Sequence, residues 1–206
     1  MELPAEPLYD ILLNADYQTI LNLCQTSSSI NHLCQDDYFW QLKFNYDFPS
    51  FNKLNQYSWR HSYVLMLQAQ SYISQIGCHH YVQYDINDIS DIKMGPILNS
   101  MTNIIDIDYF NDIKHELPID NTLQHPTRII IYIKNNEFYI RYDEAITMGI
   151  PRRTLDEPLR RLIRFVNINE YLITYHEAVD FIYVLLGHHI KPHLVKGDNI
   201  PMVIRF

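Results

Sequence analysis

The stretch LPAEPLYDILLNADYQTILNLCQ, residues 3–25, followed by TSSSINHLCQDDYFWQL, residues 26–42, decides the fold of the N-terminal part of this chain. Pro4 suits the first turn of a helix, because the N–H that proline lacks would have no partner there. Leu8, Ile11 and Leu12 then recur at the i, i+3, i+4 spacing of one helix face. The pattern predicts a first helix with a single apolar stripe.

Three more short helices are predicted before Pro49. Asp16 is a suitable N-cap for the second helix, and the run Thr26–Ser29 interrupts the pattern before the third. Asp36 or Asp37 caps a fourth helix that carries Trp40. Helices of this length are not stable singly, so we expect them to pack on one another, on a partner or on the rest of the chain. A large aromatic residue usually anchors a small core, and we assign Trp40 to internal packing.

The order of these residues resembles an F-box. The resemblance rests on Leu-Pro-x-Glu at residues 3–6, on Ile-Leu at 11–12, on Ile-Leu-x-Leu at 20–23 and on the late Trp40. The variant with Cys-Gln-Thr-Ser before the third helix and Asp-x-x-Phe-Trp after it is similar to the F-box-like domains common in giant DNA viruses. Pro7 and Ala15 depart from the usual pattern. The resemblance covers residues 1–49.

The resemblance implies a non-enzymatic adaptor. F-box proteins dock onto the linker protein Skp1 of a cullin-type ubiquitin ligase, and the remainder of the chain recruits a target protein. The residues implied to face the linker are Leu3, Pro4, Leu8, Ile11 and Leu12, and those implied to support them are Ile20 and Leu21. The alternative is that these apolar residues all point inward and the module only caps a second domain.

Composition sets the class of protein. Apolar residues make up 47% of the 206 residues and charged residues 19%, which predicts a folded chain rather than a disordered one. The net charge of −8 argues against non-specific nucleic-acid binding, which needs a basic surface. The odd count of three cysteines, with neither an apolar leader nor a membrane-length apolar run, favours a reducing compartment. We therefore expect an intracellular protein of the cytoplasm or nucleus, in the host cell if the chain is viral, with no membrane contact.

Residues 57–206 are expected to form a separate α+β domain that binds the target. Asn135-Asn136 lies between the Ile-rich, β-branched run at 128–134 and the apolar run at 137–142, and asparagine tolerates positive φ, so the pair predicts a β-hairpin. Thr154 with Glu157, and Thr174 with Glu177, have capping-box spacing and predict two helix starts. The predicted fold class is α+β, mainly helical, with an F-box-like helical module followed by an α+β domain containing an antiparallel hairpin.

An arginine cluster is the candidate site for a target or an anion. Its members are Arg152, Arg153, Arg160, Arg161 and Arg164. The predicted helix starting at Thr154 places the last three opposite its apolar face. Guanidinium groups suit phosphate or carboxylate ligands. The alternative is a solvated face that pairs with the acidic stretch at residues 85–120.

No motif predicts catalysis, a cofactor or a metal. The histidines near Cys78 and at residues 188–193 match no zinc spacing, and five glycines leave little room for a phosphate-binding loop. Three functions remain. The first is the ligase adaptor; the second is a structural or self-associating protein, such as a virion component or a homodimer. The third is a nucleic-acid or phosphate binder acting through the arginine-rich helix.

Overall fold

The computed structural model describes residues 5–77, 80–85, 127–149 and 161–196, and within these ranges there are six helices and five strands. The chain divides into two compact units, Met1–Gln68 and Ala69–Phe206. The first unit is helical, and the second contains an antiparallel sheet. The predicted fold class, mainly helical α+β, is confirmed.

The first unit is built from short helices and the start of a longer one. They are α1 (Ala5–Asn14), α2 (Tyr17–Cys24), α3 (Ser28–Gln35), α4 (Asp37–Asp47) and α5 (Trp59–Gln75), whose first half belongs to this unit. Two predicted N-caps are confirmed. The Asp16 carboxylate accepts the backbone N–H of Thr19 at 2.8 Å, and the Asp36 carboxylate accepts that of Tyr38 at 3.0 Å. Each cap satisfies a backbone donor that the helix itself leaves unpaired.

The second unit has five strands in the order β4-β3-β2-β1-β5, and every neighbouring pair is antiparallel. The strands are β1 (His80–Asp85), β2 (Thr127–Lys134), β3 (Glu137–Gly149), β4 (Arg161–Ile173) and β5 (His193–Lys196). A sixth helix, α6 (Tyr175–Gly187), lies in sequence between β4 and β5. Phe181 of α6 meets Tyr84 of β1 edge-to-face at 5.8 Å between ring centroids, so α6 packs on one face of the sheet.

The hairpin and one capping box occur where the sequence predicts them. Asn135 and Asn136 have φ values of 54° and 65°, as a two-residue turn between β2 and β3 requires, and Lys134 pairs with Glu137. At the start of α6, the Thr174 hydroxyl accepts the N–H of Glu177, and the Glu177 carboxylate accepts the N–H of Thr174. Both features depend only on residues close in sequence.

The helix predicted after Thr154 is wrong from Arg161 onward. Arg161–Ile173 is strand β4, which pairs along its length with β3, from Gly149 opposite Arg161 to Phe138 opposite Ile173. The segment is rich in β-branched residues, and the edge of β3 offers it a ladder of backbone partners, so sheet pairing overrides the helical spacing of its apolar residues. Residues 150–160 and the acidic stretch beyond residue 85 lie outside the described residues.

Candidate functional site

The first helix presents apolar side chains in two different environments. Leu8 and Leu12 lie one turn apart and are buried in the unit; Leu12 has no exposed surface. Ile11 is 53% exposed. The stripe predicted from sequence is therefore split, with Leu8 and Leu12 inside and Ile11 at the surface. Leu3 and Pro4 lie outside the described residues.

α1 lies against α4 along its length. The rings of Tyr9 and Phe39 meet edge-to-face at 6.1 Å between centroids. Near the other end of α1, the Tyr46 hydroxyl donates to Oδ1 of Asn14 at 2.9 Å. Contacts between residues 9 and 39 and between residues 14 and 46 show that the two helices run in the same direction. The exposed side of α1 is thereby fixed by its packing on α4.

A buried lysine joins the end of α1 to α4. Lys43 is 3% exposed, and its ammonium group donates to the backbone carbonyl of Leu13 at 2.6 Å. The same ammonium lies 2.8 Å from Oδ2 of Asp47, which also accepts the Tyr63 hydroxyl at 2.5 Å. Burial, followed by the hydrogen bond to Asp47, raises the pKa of Tyr63 well above its usual value, so the phenol stays protonated and donates.

Trp40 is at the centre of an aromatic cluster, as the sequence predicts. It is 1% exposed, and its ring lies 5.1 Å from Phe39, 5.8 Å from Tyr17 and 5.3 Å from Tyr63 between centroids. The indole N–H donates to the backbone carbonyl of Cys34 at 2.7 Å. Because a buried indole N–H needs a partner, this bond holds the end of α3 against α4.

The second and third helices contribute a buried anchor, a half-buried surface and a covalent link. Ile20 is fully buried, whereas Leu21 is half-buried. Cys24 at the end of α2 forms a disulfide with Cys34 of α3, with the two Cα atoms 6.1 Å apart. Cys34 is buried and Cys24 is half-buried. The sequence does not predict this bond.

Three large apolar side chains of the module remain at its surface. Tyr38 and Tyr46 of α4 are 58% and 57% exposed, comparable with Ile11. Residues 38 and 46 are eight positions apart and therefore share one side of α4. Tyr46 also contacts the module itself, because its hydroxyl donates to Asn14 and the Lys43 ammonium lies 5.8 Å from its ring centroid. We call Ile11, Tyr38 and Tyr46 the exposed apolar residues of the module.

Two members of the predicted arginine cluster lie in a strand and not in the predicted helix. Arg161 and Arg164 belong to β4, where they pair with Gly149 and Ile146 of β3. The helical spacing that groups them in the sequence does not apply in a strand. Arg152, Arg153 and Arg160 lie outside the described residues. The arginine-rich helix is therefore wrong for its last two members.

The second unit carries a charged and aromatic cluster that sequence reasoning missed. The Tyr132 hydroxyl donates to Glu170, and the Tyr132 and Tyr139 rings stack at 5.6 Å between centroids. Buried Arg141 lies over the Tyr132 ring at 5.8 Å, and the Lys134 ammonium is 3.7 Å from Glu170. The only signal in the sequence is the alternation of aromatic and charged residues along β2 and β3.

Neither a metal site nor a membrane-spanning helix is found in residues 5–77, 80–85, 127–149 and 161–196. In these ranges, no group of three or more His, Cys, Asp or Glu side chains is placed to hold a metal ion. Within the same ranges, no helix is both long and apolar enough to cross a membrane.

A family model described as F-box-like matches residues 1–45. These residues include α1, α2, α3 and most of α4. Within them, Trp40 contacts Tyr17 of α2, Phe39 of α4 and the Cys34 carbonyl of α3. No curated protein matches the chain, and no solved structure matches it. An F-box-like domain is thus present at residues 1–45. Domains of this kind generally serve as interaction modules of ubiquitin-ligase adaptors and are not enzymes.

Proposed function

We propose that this protein is an adaptor that links a target protein to a cullin-type ubiquitin ligase through a Skp1-like linker protein. The observation that carries the proposal is the F-box-like match at residues 1–45, on a module whose helices pack around a buried tryptophan. Residues 57–206, which include the sheet and α6, are the proposed receptor for the target. On this proposal the chain itself performs no catalysis.

Ile11 is the proposed central contact with the linker. It is more than half exposed on a helix whose Leu8 and Leu12 are buried, so a partner can cover it without unfolding the module. Leu8, Leu12 and Ile20 support the surface from inside, and half-buried Leu21 borders it. Leu3 and Pro4 complete the proposed contact set. Burial of an exposed isoleucine side chain on binding contributes about 1.5–3 kcal/mol.

Binding of the purified full chain to purified Skp1, measured by calorimetry, tests the adaptor. We expect micromolar or tighter binding that Ile11→Asp weakens about tenfold or more, because the substitution places a charge in the centre of the contact. The matched control is Leu172→Asp, which changes a leucine that is 60% exposed in the second unit. Absence of binding by the unaltered chain at micromolar concentrations would exclude the adaptor.

Self-association is the second candidate function. The exposed Tyr38 and Tyr46 favour it, because they enlarge the apolar surface beyond α1 and are not among the residues assigned to the linker. Light scattering, which measures the oligomeric state of the chain in solution, tests self-association. A stable dimer supports a structural role, such as that of a virion component, if the double substitution Tyr38→Asp, Tyr46→Asp converts it to a monomer. A monomer at all concentrations excludes it.

The source and location of the protein are further parts of the proposal. The Cys-Gln-Thr-Ser and Asp-x-x-Phe-Trp sequences support an F-box-like protein of the kind found in giant DNA viruses. An adaptor of a ubiquitin ligase acts in the cytoplasm or nucleus of the host cell. A fluorescent fusion confined to either compartment in infected cells agrees with this assignment, and secretion of the fusion contradicts it.

A further inference from the structure

A covalent bond joins two of the smallest helices in the module. Cys24 is the last residue of α2, and Cys34 is the penultimate residue of α3. The bond closes a short loop containing the turn at Gln25 and Thr26 and nearly all of α3. Cys34 is buried and Cys24 is half-buried, so Cys24 is the more accessible residue of the pair.

α3 has little local support apart from this bond. It is eight residues long, and the side chain of its N-cap, Ser27, makes no capping hydrogen bond. An isolated helix of this length is unstable in water, so its order depends on packing and on the disulfide. Closing a loop with a covalent bond removes conformations from the unfolded segment and favours the folded one.

The bond lies next to the core of the module. The backbone carbonyl of Cys34 accepts the Trp40 indole N–H at 2.7 Å. Trp40 in turn contacts Phe39 and Tyr17. A change in the position of Cys34 therefore alters the packing of α4. Through the contact between Phe39 and Tyr9, it also alters the packing of α1.

We propose that the Cys24–Cys34 bond is a reversible redox tie that holds α2 and α3 in order and loosens the module when it is reduced. The proposal adds regulation to the linker-binding site and rests on the proposed function for its effect on binding alone. A reducing compartment, which the odd cysteine count favours, would hold the pair as thiols at rest. Oxidation would then tighten the module.

The exchange is balanced with a small-molecule disulfide such as oxidised glutathione. The more accessible Cys24 thiolate attacks this disulfide, forms a mixed disulfide and releases one glutathione thiolate. The Cys34 thiolate then attacks the Cys24 sulfur, forms the protein disulfide and releases the second glutathione. Two electrons pass from the cysteine sulfurs to the glutathione disulfide, and the two cysteine protons end on the two released glutathione thiols. Reduction by glutathione reverses these steps.

The test uses the full chain carrying Cys78→Ser, so that Cys24 and Cys34 are its only cysteines. Thiol titration after equilibration with oxidised glutathione is expected to find no free thiol, and titration after reduction is expected to find both. Hydrogen exchange of the α3 amides is expected to be roughly tenfold to a hundredfold faster in the reduced form. In the Cys24→Ser, Cys34→Ser variant, exchange should be fast and independent of glutathione.

Two results would overturn the proposal. One is the persistence of both thiols in excess oxidised glutathione, and the other is equal α3 exchange in the oxidised and reduced forms. Because reduction of the unaltered pair needs no substitution, misfolding of the serine variant does not obscure the outcome.

Linker binding by the two forms separates this proposal from the adaptor. We expect the oxidised form to bind Skp1 more tightly. If Skp1 binds neither form while α3 responds to reduction, the adaptor fails and the redox tie stands. If Skp1 binds both forms equally and α3 does not respond, the tie fails and the adaptor stands. Equal binding by the two forms with a responsive α3 removes the regulatory role and leaves a structural tie.

Discussion

The ammonium nitrogen of Lys43 lies 2.6 Å from the backbone carbonyl oxygen of Leu13, and this hydrogen bond joins α4 to the last turn of α1. The last carbonyls of a helix lack partners within the helix and carry partial negative charge. α1 has no basic residue of its own in its last turn. A lysine from a neighbouring helix therefore supplies the cation that this helix end favours, and Asp47 balances its charge.

Lys43→Met tests this relationship. We expect the first unit to lose about 2–4 kcal/mol of unfolding free energy, because the substitution leaves the Leu13 carbonyl and the Asp47 carboxylate without the ammonium donor. Urea unfolding followed by tryptophan fluorescence measures the loss. Both tryptophans, Trp40 and Trp59, belong to the first unit, so the signal reports that unit. Asn45→Met on the exposed side of α4 is the control and should change stability by less than about 0.5 kcal/mol. Equal stability of Lys43→Met and the unaltered chain would contradict the structural role.

Leu12 and Ile11 are adjacent in sequence and differ in exposure, so they form a matched pair. Leu12→Ala is expected to lower the unfolding free energy of the first unit by about 2–5 kcal/mol, because it leaves a cavity where the fully buried leucine side chain was. Ile11→Ala is expected to change it by less than about 1 kcal/mol. The same fluorescence measurement compares them. A larger loss for Ile11→Ala would place Ile11 in the core.

In the turn between β2 and β3, two different substitutions of Asn136 are expected to change the stability of the hairpin in opposite directions. Asn136 has a φ of 65°, which glycine adopts freely and β-branched residues avoid. Asn136→Gly is expected to stabilise the hairpin by up to about 1 kcal/mol, and Asn136→Val to destabilise it by about 1–2 kcal/mol. Hydrogen exchange of the β2 amides measures both. Stabilisation by valine would show that the turn does not require positive φ.

Asp180 of α6 links the stability of the second unit to pH. Burial raises the pKa of its carboxyl group, and nearby His176 opposes this shift. The folded protein therefore holds the proton more tightly than the unfolded chain, so this residue lowers stability above its folded pKa and ceases to do so as the pH falls through that value. Asp180→Asn is expected to raise the stability of the second unit at pH 7, with a difference that narrows as the pH falls. Hydrogen exchange of the α6 amides at pH 7 and at lower pH measures this difference in stability. A stability difference between Asp180→Asn and the unaltered chain that widens at low pH would contradict the raised pKa of Asp180.

Asp16 has the opposite dependence. The Thr19 backbone N–H and hydroxyl donate to its carboxylate and lower its pKa. Its stabilising contribution is present above the unfolded pKa and is lost as the pH falls through the folded pKa. Asp16→Ala is expected to lower the urea midpoint of the first unit at pH 7, with the difference shrinking in acid. A constant difference at all pH values would show that charge is not involved.

Predictions of fold from the sequence are accurate where the responsible residues are neighbours. Asp16 caps α2, Thr174 and Glu177 form a capping box, and Asn135-Asn136 turns the hairpin. Each depends on contacts within four residues. The helix predicted after Thr154 is wrong from Arg161 onward, because the edge of β3, many residues earlier in the chain, provides the partners that make this segment a strand.

Prediction of the candidate site from sequence is incomplete for the same reason. The sequence indicates an apolar α1 and a core tryptophan, and the structure places Leu12 and Trp40 inside. The sequence gives no indication that the Lys43 side chain contacts the backbone of Leu13, thirty residues earlier. The i, i+4 spacing of Lys43 and Asp47 is the one local signal of that network. The Cys24–Cys34 bond also depends on how α2 and α3 fold back on each other.

The sequence by itself determined where most of the described helices begin, where the hairpin turns and which residues of the first forty-nine carry the F-box-like pattern. These features follow from local hydrogen bonding, backbone preference and apolar spacing. Only the tertiary structure decided that Ile11 is exposed while Leu12 is buried, that Lys43 joins α1 to α4, and that Arg161 and Arg164 belong to a strand. Exposure, buried pairing and strand register depend on segments far apart in the chain, and no local pattern specifies which distant segment will be the neighbour.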